Sequence, residues 1–240
     1  MIADPTIDAL PAEQRALLAS LWQARASSES SVRGVFEQVI AELSATGAHP
    51  EVIALARRAA GDEARHAQIC MELAAAYHGG PITIALAPPV RLPDHGEPPR
   101  LRAALHVVNL CCISETIASA FVEACLADCA GEMLREVHGR HLADEIRHAR
   151  IGWAHLASLG MDERGELASR LPELLRVQVL AWESRIAELP EHGVPGHGYP
   201  PRALLVRVVR DAVRELVLPG FDYVDVDATR ARAWFDAHSA

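Results

Sequence analysis

The 240-residue chain contains no lysine, few aromatic residues and no long apolar run. All 23 basic residues are arginine, against 32 acidic residues, and the formal net charge is −9. An acidic chain is poorly suited to bind nucleic acid or an anionic membrane. With 4 Phe, 4 Trp and 3 Tyr in a chain that is 50% hydrophobic, the core is expected to consist of Ala, Leu, Val and Ile. We ascribe the missing lysine to a GC-rich genome.

Features typical of other protein classes are missing as well. No run of about 18 apolar residues is present, which predicts no membrane span. The N-terminus lacks a basic segment followed by an apolar one, so no signal peptide is expected. The 5 cysteines are an odd number, and the Cys125–Cys129 pair has no second half, which disfavours a disulfide framework and a zinc site. These absences predict a cytoplasmic protein.

The apolar pattern is helical along nearly the whole chain. It predicts helices at residues 11–45, 51–78, 101–129, 131–159, 162–189, 202–217 and 228–238. The first of these has a candidate break near Ser27 and Ser28, because serine is a weak helix former. Residues 81–86 are the one candidate strand. Residues 190–201, rich in Gly and Pro, are expected to form a flexible lid or a plain connector.

The connections between helices indicate how they pair. Short turns near residues 47 and 130 predict two antiparallel hairpins. The 81–100 connection between them contains six prolines and can span a helix about 42 Å long. Two hairpins joined by one long crossover form a ferritin-like four-helix bundle. We therefore predict an all-α single domain over 1–240, with a core bundle at 11–159 and additional C-terminal helices at 162–240.

A six-residue motif occurs twice, once in the second helix of each predicted hairpin. Asp-Glu-Ala-Arg-His-Ala at 62–67 recurs as Asp-Glu-Ile-Arg-His-Ala at 144–149. Glu63 and His66, like Glu145 and His148, are three residues apart and share a helix face. Burying these groups unpaired is costly, and a pair of divalent metal ions would offset that cost. The alternative is a structural cluster of salt bridges without metal.

A dinuclear site also needs one carboxylate from each of the two remaining helices. Glu115 precedes the turn near residue 130 by as many residues as Glu145 follows it, so the two lie at the same level. Glu123 lies about 12 Å too close to that turn. In the first helix, Glu29 fits the level of the first motif best, and Glu37 is the second choice. We therefore predict Glu29 and Glu115 as further ligands.

The second motif has an extra histidine on the same face. His141 lies one turn before Glu145, where the first half has Ala59. One metal ion is therefore expected to gain a third nitrogen ligand. The alternative is a hydrogen-bonded pocket histidine that does not touch metal.

The aspartates of the two motifs are expected to support the ligands. A metal-bound histidine usually donates its other N–H to a carboxylate. Asp62 and Asp144 are natural acceptors for the histidine of the opposite hairpin, and Arg65 and Arg147 are natural partners for these aspartates. The alternative is a solvated helix face.

Residues that flank Glu29 and Glu115 by one or two turns are candidates for a substrate pocket, although core packing is the simpler interpretation of each. Arg25 and Arg33 lie one turn either side of Glu29, where either could bind a substrate carboxylate or be solvated. The candidate pocket residues are Val32, Arg33, Phe36, Cys111, Cys112 and Ser119.

The doubled motif with Glu29 and Glu115 resembles the carboxylate-bridged diiron proteins of the ferritin-like superfamily over about residues 15–157. The run from His141 to His148 is similar to the diiron arylamine N-oxygenases of the p-aminobenzoate N-oxygenase type, which add a third histidine. This resemblance implies two iron ions, with manganese as the alternative, that bind O2 and form a peroxo intermediate. The expected reaction is oxidation of an amine nitrogen on a small substrate, such as an aromatic biosynthetic amine. Expected partners are an external reductase or ferredoxin-type electron donor and a second copy of the chain.

Other ferritin-like activities fit the sequence less well. A rubrerythrin-like peroxidase should carry a glutamate where this chain has Ala118, and often a four-cysteine iron site. A radical-storing subunit needs a tyrosine beside the metals, and Tyr77 lies about 16 Å beyond His66 along its helix. A ferroxidase does not need the long C-terminal extension. A manganese catalase and a non-catalytic, metal-stabilised bundle stay open.

Overall fold

The computed structural model describes residues 4–83 and 90–239. Regular structure in these residues is helical, apart from the isolated bridges Cys129–Gly196 and Val194–Tyr199. The predicted all-α class is therefore confirmed. The candidate strand at 81–86 has no regular structure at 81–83, and its remainder lies outside the described residues.

The helical segments follow the predicted order, with two π-helical stretches inserted. They are α1 (Pro5–Asp8), α2 (Ala12–Ala45), α3 (Pro50–His78), α4 (Pro99–Val107), α5 (Glu115–Asp128), α6 (Glu132–Ala157), α7 (Met161–Ala187), α8 (Arg202–Ala212), α9 (Leu218–Tyr223) and α10 (Thr229–Ser239). The π-helical segments are Val108–Ser114, between α4 and α5, and Val213–Val217, between α8 and α9.

Two helical hairpins bring the motif-bearing helices together. α2 packs along α3, and α5 with the π-helical segment before it packs along α6. The first hairpin turns at Gly47, whose φ of 72° favours glycine, and α3 begins at Pro50. Because α3 and α6 also contact each other, both copies of the motif face the interior between the hairpins.

The expected break in the first helix is wrong, because α2 continues through Ser27 and Ser28. Ala26 and Glu29 are buried on the inner side of this turn. Helix propensity is a weak preference that tertiary packing overrides. The uninterrupted helix keeps Glu29 on the same face as the buried apolar residues.

The expected linker after residue 217 is also wrong, because the chain stays helical through Pro219 and Gly220 to the end of α9. Pro219 lies directly after the π-helical segment Val213–Val217, at the start of α9. A Cβ atom at Gly220 would lie 2.6 Å from the indole of Trp153. Glycine therefore allows α9 to pack closely on α6.

The C-terminal helices α7–α10 cover one side of the two hairpins. A continuous apolar cluster joins α4 and α5 to α7, α8, α9 and α10, with fully buried residues such as Ile117, Leu171 and Phe235. α7 thus lies beside α5. This arrangement places residues from the C-terminal third of the chain next to the predicted ligand helices.

Within the described residues, one continuous helix, Pro99–Asp128, is long and apolar enough to cross a membrane by length and composition. The sequence had suggested no span, because polar residues interrupt its apolar runs. Half of the most apolar 18-residue stretch of this helix is buried inside the protein. Core helices of soluble proteins meet the same criterion, so this finding is weak evidence for a membrane span.

Candidate metal centre

The seven predicted ligands converge in the interior between the hairpins. Each of these residues is at most 9% exposed. Their ligand atoms form two overlapping groups, in each of which all atoms lie within 4.8 Å of one another. The first group, here called the Glu29 group, is Glu29, His66, His141 and Glu145, and the second, the Glu115 group, is Glu63, Glu115, Glu145 and His148. Glu145 belongs to both groups, as a carboxylate that bridges two ions would.

The helical positions of the ligands explain this convergence. In each motif the glutamate and the histidine project from the same face of α3 or α6. Glu115 is the first residue of α5, directly after the π-helical segment. That segment fits against α6 because Gly152 has no side chain. A Cβ atom there would lie 2.5 Å from Cys112 Sγ and 2.9 Å from the Cys112 backbone nitrogen.

The aspartates of the two motifs reach across to the opposite histidines. Asp144 Oδ2 lies 3.1 Å from His66 Nε2, and Asp62 Oδ2 lies 3.3 Å from His148 Nε2. Each carboxylate is placed to accept the Nε2–H of its histidine, so that in the neutral imidazole the Nδ1 lone pair faces the centre. Both aspartates are buried, Asp62 at 2% exposed and Asp144 at 8%.

Two arginines hold these aspartates in place. Arg65 hydrogen-bonds to Asp62 and lies 3.7 Å from Asp144. Arg147 pairs with Asp144. The alternative of a solvated helix face therefore does not describe the aspartates, although the arginine side chains themselves reach solvent.

Several buried nitrogen and oxygen atoms of this cluster form no hydrogen bond with one another. His148 Nδ1 is 3.0 Å from Glu63 Oε1, yet the pair lacks hydrogen-bond geometry. The buried atoms without a hydrogen-bond partner include both Glu63 oxygens, His66 Nδ1, His141 Nε2, Glu145 Oε2 and His148 Nδ1. Leaving such atoms unpaired is costly, and metal ions between them would satisfy all six. Imidazole and carboxylate ligands suit iron, manganese or zinc, so the donor set fits a pair of divalent ions.

At Glu63, Glu115 and His148 the electrostatics favour a bound proton when no metal is present. Burial raises the pKa of Glu63 to about 7. Burial, together with the neighbouring Glu145, raises the pKa of Glu115 well above its usual range. Burial opposes the charged form of His148, but the carboxylates of Glu145 and Glu63 outweigh it and raise its pKa to about 10. A metal ion must displace these protons, so its affinity should rise with pH.

His141 differs from the other two histidines in its outer partner. Its Nε2 lies 2.7 Å from Glu145 Oε1 and 3.6 Å from Glu29 Oε1, facing the centre. Its Nδ1 accepts a hydrogen bond from Arg25 Nη2 at 3.2 Å. Arg25 Nε also donates to Glu29 Oε1 at 3.1 Å. Arg25 is therefore held against the cluster, with its side chain 13% exposed, rather than solvated.

The glutamates considered as alternative ligands lie elsewhere. Glu37 is exposed and pairs with Arg33, and Glu123 is exposed on the outer face of α5. His138 is fully buried but belongs to neither group of ligand atoms, and burial lowers its pKa well below the usual value. Its ring packs 5.6 Å from that of Trp22.

A cavity of about 280 Å³ lies against the carboxylates of the cluster, between α2, α5 and α7. Its polar residues include Arg25, Arg185 and Tyr199 in addition to the ligand glutamates. Its largest apolar side chains are Leu21, Val32, Phe121, Trp182, Ile186 and Leu189. The cavity thus offers a mainly apolar chamber with metal-binding groups at one side.

Of the six predicted pocket residues, Val32 lines this cavity and the other five lie elsewhere. Arg33 is exposed, and Phe36 packs against the His148 ring at 5.5 Å. Cys111 and Cys112 are buried residues of the π-helical segment itself, and the Ser119 hydroxyl donates to the Glu115 carbonyl. Spacing from a ligand along one helix does not indicate which neighbouring helix closes the site.

Tyr199 and Trp182 are cavity residues that the sequence did not reveal. The 190–201 segment is a packed connector, in which Val194 and Tyr199 are buried and bridge to each other. Tyr199 also packs edge-on against Trp22, with ring centroids 5.9 Å apart. The only sequence signal was the density of glycines in this segment, three of which have positive φ.

Comparison with protein-family models, with curated proteins and with solved structures finds no match. What the site can do must therefore be inferred from its own residues. They form a buried helical cluster of His and Glu that could hold metal.

Proposed function

We propose that this chain is a ferritin-like diiron protein that uses O2 to oxidise a small substrate. One observation carries the proposal. Six buried carboxylate and imidazole atoms face one another without hydrogen-bond partners, while the outer nitrogens of two histidines are fixed by aspartates of the opposite hairpin. Such a cluster is costly without metal, and the paired groups with a shared Glu145 suit two ions rather than one.

The roles of the residues follow from their positions. The Glu29 group would hold one iron ion and the Glu115 group the other, with Glu145 bridging. Asp62 and Asp144 would orient the histidines and raise their basicity. The burial of all these side chains keeps bulk water from the centre. A bound iron pair would supply the electrons that reduce O2, and an external reductase or ferredoxin-type protein would replace them.

The adjacent cavity favours an oxygenase or oxidase over simple iron storage. Four of the ligand glutamates form part of its wall, so a molecule in the cavity would sit against the metals. Its volume of about 280 Å³ suits a compact substrate, and Phe121 and Trp182 suit an apolar or aromatic body. Oxidation of an amine nitrogen is the reaction we propose, on the basis of the third histidine and the resemblance that it supports.

Metal analysis and a rapid reaction with O2 test this proposal. The protein loaded anaerobically with Fe²⁺ should bind two ions per chain and give a transient visible band on mixing with O2. Glu115→Ala should abolish the band, whereas the matched control Glu123→Ala, on the exposed face of the same helix, should leave it unchanged. Binding of no metal, or of manganese with rapid disproportionation of peroxide, would contradict the proposal.

A substrate search follows if the band is present. A panel of small aryl and alkyl amines should be screened for a compound that shortens the lifetime of the band and yields an oxidised nitrogen by mass spectrometry. Oxidation at carbon instead would leave the diiron assignment intact and reject the proposed reaction.

A further inference from the structure

The three histidines of the centre differ in what their outer nitrogens face. His66 and His148 each face an aspartate, which accepts an N–H. His141 instead faces the guanidinium of Arg25, with 3.2 Å between Nδ1 and Nη2. Arginine has five N–H donors and no acceptor, so His141 Nδ1 must be the acceptor in this contact.

This contact conflicts with metal binding at His141. A neutral imidazole that binds a metal through Nε2 carries its proton on Nδ1. That N–H would point at the N–H of Arg25, and two donors cannot form a hydrogen bond. For His66 and His148 no such conflict exists, because their metal-facing atom is Nδ1 and their Nε2–H already has a carboxylate acceptor.

Arg25 is held at His141 by several contacts, and space exists for it to move. Its Nε bonds to Glu29, and its guanidinium carbon lies 5.4 Å from the centroid of the Trp22 ring. The cavity beside it, which Arg25 and Tyr199 both line, could receive the guanidinium. Releasing His141 therefore costs the energy of a formed hydrogen bond but does not require the helices to separate.

We propose that Arg25 competes with the metal ion for His141, so that the Glu29 group binds its metal after the Glu115 group and more weakly. This inference rests on the proposed dinuclear centre. Arg25 also adds a positive charge beside the Glu29 group, which opposes a cation there whatever the state of His141. The two effects have the same sign, and the experiment must separate them.

A titration of the metal-free full-length chain with Co²⁺, followed by its visible absorption, provides the test. The wild-type chain should bind two ions in two resolved steps. Arg25→Gln replaces the donor with a side chain whose carbonyl can accept the His141 N–H, and it should tighten the weaker step by about tenfold. Arg25→Leu removes the charge without supplying an acceptor and should tighten the same step less. Arg33→Gln, on the exposed face of α2, is the matched control and should change neither step.

The double variant Arg25→Gln/His141→Ala separates the hydrogen-bond effect from the charge effect. In the His141→Ala background there is no histidine to release, so the gain from Arg25→Gln should fall to the charge effect alone, below the gain that Arg25→Leu gives when His141 is present. Circular dichroism checks that each variant is folded, and Arg25→Leu carries the test if the glutamine variant is not.

Three results would overturn the inference. They are two steps of equal affinity in the wild-type chain, no tightening in any folded Arg25 variant, and a gain that is undiminished without His141. In each case a retained stoichiometry of two ions would leave the proposed centre standing. Absence of Co²⁺ binding in every variant would reject both.

Discussion

The two halves of the candidate metal centre are alike in the residues that α3 and α6 contribute. They differ in the residues that α2 and α5 contribute. On α3 and α6 the same motif gives the same arrangement, in which each histidine turns Nδ1 inward and its Nε2–H to the aspartate of the other helix. On α2 and α5 the carboxylates differ. Glu29 is paired with a buried arginine, whereas Glu115 follows a π-helical segment and touches no arginine. The repeated sequence therefore gives the two histidines the same surroundings, and the unrepeated residues make the Glu29 group and the Glu115 group differ.

Substitution of Glu145, which belongs to both groups, should cause the largest loss of metal affinity. Glu145 contributes to both groups of ligand atoms, so Glu145→Ala should weaken binding at both positions by about 100-fold or more. The control is Glu136→Ala, an exposed residue of the same helix. Isothermal titration with Co²⁺ or Fe²⁺ measures the loss. If one position kept wild-type affinity, Glu145 would not be a bridging ligand.

Asp62 and Asp144, each of which lies against the histidine of the other motif, test whether α3 and α6 contribute equally. Asp62→Ala and Asp144→Ala should each weaken metal binding by about 10- to 100-fold, because each leaves one histidine without its acceptor. The two losses should be similar and should fall on different positions, His148 for Asp62 and His66 for Asp144. A loss confined to one aspartate would show that the halves are not equivalent even at this level.

Gly152 tests the asymmetry that the π-helical segment introduces. Gly152→Ala places a methyl group against Cys112 and should destabilise the fold by about 1–3 kcal/mol. It should also weaken the Glu115 group more than the Glu29 group, since the displaced segment leads directly into Glu115. Gly139→Ala on the same helix meets no atom within 4 Å and should be neutral or stabilising by up to about 1 kcal/mol. Thermal unfolding and Co²⁺ titration compare the two, and equal behaviour would contradict this role.

The pH dependence of stability should change sign with metal. In the metal-free protein the pKa of His148 is raised to about 10. The folded state therefore binds more protons than the unfolded state above pH 6.5, and stability falls as pH rises from 6.5 to 9, by at most about 1.4 kcal/mol per pH unit for this group. Metal-loaded protein should instead gain stability over this range, because metal displaces the protons. Urea unfolding at several pH values measures both slopes, and a metal-free protein whose stability rose with pH would contradict the electrostatics described above.

The sequence predicted which His and Glu side chains come together because they lie on long helices. At 1.5 Å of rise per residue, counting from the turns sufficed to choose Glu29 over Glu37 and Glu115 over Glu123. Counting residues along a helix did not predict which side chains line the cavity. Phe36 and Ser119 flank ligands along their own helices but face other neighbours, whereas Trp182 and Tyr199 arrive from the distant C-terminal third.

Helical periodicity, turn positions and the doubled motif were local signals, so the sequence by itself determined the all-α class, the two hairpins and the candidate ligands. The π-helical segment, the burial of Arg25 against His141 and the walls of the cavity were decided only by tertiary structure. They depend on which surfaces of separate helices meet, and on small clearances such as that between Gly152 and Cys112. Local periodicity carries no information about such contacts, because they form between residues that are far apart in the chain.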